Sequence, residues 1–140
     1  MTIVNVTEDI AGPAADAFAI LGNFAGVQIG GPITAVEYEG EGVGMTRTIS
    51  LGAGLIVERL EAHDPAAMHF TYCITNDDCV LPVSNYSSNL QITDLGAQGC
   101  RIEWIGTFDP RGLPEADVMP IIEGIYRNGI ANARKAIARK

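Results

Sequence analysis

GMTRTISLGAGLIVERLEA, residues 44–62, decides the fold. Met45, Arg47, Ile49 and Leu51 alternate with Thr46, Thr48 and Ser50, and Ile56, Glu58 and Leu60 alternate with Val57 and Arg59. Strand side chains point to opposite faces in turn, so each run has one apolar register interrupted by a single charge. Between them lies Gly52-Ala53, and a two-residue turn with Gly first fits a type II′ hairpin. That hairpin pairs Leu51 with Gly54, Ile49 with Ile56, Arg47 with Glu58 and Met45 with Leu60. A three-residue loop would instead put Arg47 and Glu58 out of register, and the two-residue turn is favoured because it also matches apolar with apolar at Ile49–Ile56 and Met45–Leu60. The two charges are therefore expected as cross-strand neighbours on the inner face. Burying a lone charge is costly, so such charges pair, neutralise or meet a polar ligand or water.

Working outward, strand-like runs are expected at 2–8, 33–39, 67–75, 83–93 and 100–108, beside 44–51 and 54–62. The run 85–93 sets Asn85, Ser87, Asn89, Gln91 and Thr93 against Tyr86, Ser88, Leu90 and Ile92, the pattern of an antiparallel sheet with one wet face. Continued pairing would place Leu60 opposite Met68, Glu58 opposite Phe70 and Ile56 opposite Tyr72. On the other hairpin, Ile92 would face Ile102, Leu90 Trp104, Ser88 Gly106 and Tyr86 Phe108. Gly12-Pro13 opens a helix with Ala17, Phe18 and Leu21 on its apolar side. Gly22 and Gly26 would divide it into two short helices. Residues 115–140 form a long helix, acidic at its start and basic at its end, as the helix dipole favours. Val118, Ile122, Ile125, Tyr126, Gly129, Ala133 and Ile137 mark its packed face, and Pro120 lies near its first turn or kinks it. The class is α+β, a single domain over 1–140.

The 140 residues carry a net charge of −8, which argues against nucleic-acid and anionic-membrane binding. No run reaches the roughly 18–20 apolar residues of a membrane span, and the N-terminus has no secretion-signal pattern. Cys73, Cys79 and Cys100 lack zinc-site spacing and read as free thiols in a reducing cytoplasm. His63 and His69 read as solvent-side or turn residues. No metal or cofactor is expected.

The inner surface thus combines aromatic and aliphatic walls with Arg47, Glu58, Tyr72, Tyr86 and Ser88, a lining suited to an apolar ligand with one or two polar anchors. Gly106, opposite Ser88, leaves room. Gly124 and Gly129 in the helix point to close packing or ligand space. Three readings of Arg47 and Glu58 stay open: a structural ion pair, an anchor for a ligand, or acid/base chemistry. In the last, Glu58 is the base and Arg47 polarises a carbonyl oxygen. Tyr72 and Tyr86 read as amphipathic wall residues, Trp104 and Phe108 as lining or core. Ser88 has no His-Asp partners that would make it a nucleophile.

The order strand, short helices, six strands and long helix resembles the START-like superfamily, also called Bet v 1-like, SRPBCC or helix-grip, in its bacterial polyketide cyclase/dehydrase-like branch. The resemblance is carried by residues 44–47, 57–64, 83–88 and 104–108 and covers nearly the whole chain. It implies a curved antiparallel sheet of about seven strands around the C-terminal helix, enclosing a ligand cavity. Plant abscisic acid receptors share the Glu-Arg-Leu and Asn-Tyr-x-Ser patterns, which implies pocket positions for Glu58, Tyr86 and Ser88. The tight Gly52-Ala53 turn departs from their longer gate loop. The expected ligand-binding set is Arg47, Glu58, Phe70, Tyr72, Tyr86, Ser88, Trp104, Phe108, Ile122 and Tyr126. The expected partner is a small hydrophobic molecule, with homodimerisation also open. A cyclase or dehydratase using Glu58 and Arg47 is the alternative, and a protein-interaction module the third.

Overall fold

The hairpin at residues 44–62 forms in the expected register. In the computed structural model, which describes residues 1–139, β3 (Thr46–Leu51) and β4 (Gly54–Asp64) pair Leu51 with Gly54, Ile49 with Ile56 and Arg47 with Glu58. The ladder continues past β3, with the Leu60 N–H donating to the Met45 carbonyl. The turn is not type II′, because neither Gly52 nor Ala53 has a positive φ. Apolar pairing, rather than glycine geometry, holds the register.

Five further strands complete the sheet: β1 (Thr2–Ile10), β2 (Ile33–Glu39), β5 (His69–Ile74), β6 (Val83–Asp94) and β7 (Cys100–Pro110). They form one curved antiparallel sheet in the order β1-β7-β6-β5-β4-β3-β2. The β1–β7 pairing joins the first and last strands in sequence, with Val4 opposite Gly106 and Val6 opposite Trp104. A short helix, α1 (Ala14–Leu21), follows β1, and the long helix α2 (Glu115–Ala138) packs on β1, β7 and α1. This is the helix-grip arrangement.

Four local expectations are corrected. First, Leu60 faces Tyr72 rather than Met68, and Glu58 faces Ile74 rather than Phe70. β4 runs on through His63 and Asp64 before turning at Pro65, and a bulge falls between Leu60 and Ala62. The four-residue displacement preserves parity, so Phe70 and Tyr72 still point inward and are buried. Second, Tyr86 is not directly opposite Phe108, because the register shifts between Ser84 and Ser87 and Asn85 takes φ 53°. The Tyr86 and Phe108 rings nonetheless stack, 6.2 Å apart.

Third, the second short helix is reduced to one turn, closed by the Gly26 N–H on the Asn23 carbonyl. The Phe24 carbonyl, which a continuing helix would use, instead accepts from Arg47. Fourth, α2 presents Val118, Ile122, Tyr126, Ile130 and Ala133 to the core, and Ile125 is 43% exposed. Adjacent residues are about 100° apart around a helix, so Ile125 and Tyr126 cannot both face the sheet. The i, i+4 row through Tyr126 wins and brings in Ile130. Pro120 lies in the second turn, where it removes the N–H that would reach the Ala116 carbonyl.

Candidate functional site

Arg47 and Glu58 meet as the hairpin register requires. Arg47 Nε donates to Glu58 Oε1 at 2.7 Å, with side-chain exposures of only 13% and 10%. Arg47 Nη1 donates to the Phe24 carbonyl at 2.9 Å, and its guanidinium lies 4.0 Å above the Phe24 ring centroid. The Tyr72 ring is 5.5 Å away on another side. These contacts hold a cation in a mostly apolar frame by charge-assisted bonding and cation–π attraction.

Deeper in the core, three phenols and one hydroxyl form a chain. Ser88 Oγ donates to the Ile105 carbonyl at 3.2 Å and accepts from Trp104 Nε1 at 2.9 Å. With its proton committed, Ser88 must accept from Tyr126 Oη, 3.2 Å away. Tyr126 then accepts from Tyr86 through a short contact, and Tyr86 accepts from Tyr72 at 3.4 Å. Every phenol proton in the chain is used. Burial pushes Tyr72, Tyr86 and Tyr126 above the ordinary phenol range, so none is an acid near neutrality.

Gly106 explains how Tyr126 fits. A Cβ there would overlap the Tyr126 phenol oxygen. The room expected opposite Ser88 is therefore filled by the helix's own tyrosine. Gly129 lets the helix approach Trp104, since a Cβ would come within 3.0 Å of the indole. As a result Trp104 stacks on Tyr126 at 4.5 Å and 11°. Gly124 makes no such approach.

A cavity of about 580 Å³ opens beside this closed cluster. Arg47, Phe70 and Trp104 form its floor, and Ile20, Leu21 and Val27 one wall. Gly129, Ala133 and Ala136 of α2 form the opposite wall, with Asn132, Lys135 and Arg139 beside them. Asn23 borders both this cavity and a groove of about 410 Å³ lined by Phe18, Phe24, Met45, Leu60 and His63. His63 lies on the solvent side, as one of its two expected placements had it, on β4 rather than in a turn, with Nε2 3.1 Å from the Gly22 carbonyl.

A family model described as "Polyketide cyclase / dehydrase and lipid transport" matches residues 1–138. The chain belongs to this polyketide cyclase/dehydrase family. Its fold recurs in solved structures. Protein XoxI from Bacillus cereus is 25% identical with TM-score 0.84, over 99% of this chain and 96% of that one. Norcoclaurine synthase from Thalictrum flavum, solved with dopamine and hydroxybenzaldehyde, is 16% identical with TM-score 0.76, over 98% and 86%. Ara h 8.0201 is 15% identical with TM-score 0.76, over 99% of both chains. The last two are Bet v 1-like proteins and share the fold. No curated protein matches the sequence.

In this polyketide cyclase/dehydrase-family chain the expected ligand-binding residues fall into two groups. Arg47, Phe70 and Trp104 border the cavity, with Glu58 and Tyr72 in contact with Arg47. Tyr86, Ser88 and Tyr126 belong to the closed chain, and Phe108 and Ile122 are buried. Lys135, Arg139, Asn132 and Gln28 also line the cavity, and sequence reading did not select them. The signal is the spacing of 129, 132, 136 and 139 along one helix face; the helix dipole favours basic residues at this end whether or not they line a cavity, so it masks that signal.

Among the described residues no group of three His, Cys, Asp or Glu is placed to hold a metal. No described helix is long and apolar enough to cross a membrane. The cysteines are free. Burial, followed by the hydrogen bond to Glu61, pushes the Cys73 thiol up to about 11, and burial also raises Cys100. Neither environment activates a thiolate.

Proposed function

We propose that the chain binds one small, largely apolar molecule in the cavity between sheet and α2, with Arg47 as its polar anchor. The observation that carries this reading is the unfinished coordination of Arg47. A guanidinium has five N–H donors. One is taken by Glu58 and one by the Phe24 carbonyl. The other three have no acceptor among the described residues. No described side-chain N or O is both fully buried and unpartnered, so Nη2 reaches accessible space. Arg47 lines the cavity. A ligand oxygen placed there completes its bonding while the ligand body covers Phe70 and Trp104. The volume falls within the range of small-molecule sites.

The family description and the aromatic compounds named with norcoclaurine synthase support a ligand of this kind. A catalytic reading rests on the same open N–H groups, which would polarise a carbonyl oxygen during cyclisation or dehydration. Glu58 is poorly disposed as its base, because Oε1 is held by Arg47 and the phenols nearby have committed protons. Binding is therefore the better-supported function.

Native mass spectrometry of freshly purified protein tests it. A bound small molecule is expected in the wild type and absent from Ala136→Trp, which fills the cavity wall. An adduct that survives Ala136→Trp sinks this placement. If a substrate panel finds turnover that Glu58→Gln abolishes while ligand still binds, the catalytic reading replaces binding alone.

A further inference from the structure

We infer that the ligand is an organic anion: an apolar body carrying a carboxylate or comparable acidic group, received by Lys135 and Arg139 at the cavity mouth. This rests on the cavity-binding reading and narrows it to a chemical class. The chain is strongly acidic, with 17 Asp and Glu against 9 Lys and Arg. In such a protein most cations are expected to be paired, and here they are. Arg59 pairs with Glu61, Arg101 with Asp9, Arg127 with Glu8 and Glu123, and Arg134 with Glu8. Arg47 pairs with Glu58, and Arg111 donates to the carbonyls of Asp77, Cys79 and Leu81.

Of the cations among the described residues, Lys135 and Arg139 are left without an ion pair or hydrogen bond, and both line the same cavity. They are four residues apart, hence on one side of α2. No Asp or Glu lines that cavity. The helix C-terminus attracts cations generally, which explains basic residues in the last turns but not the exclusion of carboxylates from the facing walls. Those walls come from α1 and the 23–28 segment that follows it, and from Arg47, Phe70 and Trp104 on three separate strands. A mouth that is cationic, beside a floor of Phe70 and Trp104 with Arg47 between them, complements an amphipathic acid. A neutral ligand would gain no charge–charge attraction from Lys135 and Arg139.

The test uses two fluorescent probes with a common skeleton, N-phenyl-1-naphthylamine and its sulfonated derivative 8-anilinonaphthalene-1-sulfonate. Both are titrated into the full chain at low salt, and into Lys135→Ala, Arg139→Ala and the double variant. Urea midpoints show whether each variant is folded. The sulfonate is expected to bind more tightly than the neutral probe. Each single change should weaken it about threefold and the double change about tenfold, in keeping with partly exposed ion pairs. The neutral probe should be unaffected. Arg101→Ala, a cation paired elsewhere, should change neither. Ala136→Trp should remove both probes.

If neither probe binds, or Ala136→Trp leaves both bound, the cavity reading itself fails. If both bind in the cavity but the double variant leaves the sulfonate's affinity unchanged, cavity binding survives and the anion assignment is overturned. Weakening of both probes equally by the double variant also overturns it, because it would mark a packing effect rather than charge recognition.

Discussion

Removing Arg47 should cost far more stability than removing Arg47 and Glu58 together. Opposite charges about 4 Å apart attract by about 4 kcal/mol at an effective dielectric of about 20, and breaking a buried pair from one side typically costs about 3–5 kcal/mol. Here the carboxylate is only 10% exposed. Arg47→Met leaves it buried without its cation and also strips the Phe24 carbonyl of its donor, so a loss of about 4 kcal/mol is expected. Glu58→Leu should cost less, about 2 kcal/mol, because Arg47 keeps the Phe24 carbonyl and reaches the cavity. The double change replaces both charges by apolar groups on an apolar face. Its expected cost is about 1 kcal/mol, chiefly the lost carbonyl bond. Urea unfolding at pH 7 of the four proteins gives the coupling directly. A double variant as unstable as the sum of the singles would refute the reasoning, as would an Arg47→Met loss below about 1 kcal/mol.

Three other perturbations follow from the closed cluster and the cysteines. Gly106→Ala puts a Cβ on the Tyr126 oxygen and should destabilise by about 2–3 kcal/mol. Tyr126→Phe in the same chain should recover part of that, and strict additivity would count against the overlap. Alkaline pH should unfold the chain. Tyr72, Tyr86 and Tyr126 have folded pKa values above the unfolded value near 10. The unfolded state therefore loses protons first; stability is full below about pH 10 and falls above it by about 1.4 kcal/mol per pH unit per tyrosine. Urea midpoints between pH 8 and 11 check this, and Tyr86→Phe should flatten the fall. Finally, Cys73 should alkylate slowly with iodoacetamide at pH 8, since a thiol at about 11 is only about one part in a thousand thiolate. Glu61→Gln should speed the reaction, read by peptide mass spectrometry; an unchanged rate would remove Glu61 as a cause.

Much of the architecture was legible because strand parity has a period of two. The face that holds Arg47, Glu58, Phe70, Tyr72, Ser88 and Trp104 follows from alternation alone, and it survived both the displaced β4–β5 register and the Asn85 bulge. What alternation does not encode is how far a strand runs before it turns. His63 and Asp64 have turn-like neighbours yet remain in β4, held by pairs with Phe70 and His69. The missing second helix had a similarly remote cause. The donor that captures the Phe24 carbonyl comes from Arg47, 23 residues away. On α2 two adjacent apolar residues, Ile125 and Tyr126, offered two faces, and only the vacancy at Gly106 on β7 decides between them.

The candidate site was harder to read for a reason of the same kind: an inward-facing residue can line a void or fill one, and parity is identical in both cases. Tyr72, Ser88 and Gly106 share a cross-strand row, and glycine in that row resembles ligand space until a side chain from another element arrives to occupy it. Tyr126 does so, and the hydrogen-bond chain it completes converts the middle of the grip into solid core. The cavity is displaced toward the far end of α2, where Ala133 and Ala136 replace bulk and Lys135 and Arg139 replace neutrality. Arg47 stands at the boundary, bound to the core through Glu58 and Phe24 yet with N–H groups left over for the cavity. The structural and ligand-anchoring readings of the pair are therefore compatible: Glu58 fixes one edge of the guanidinium, and the edge so fixed determines which donors remain to meet a ligand.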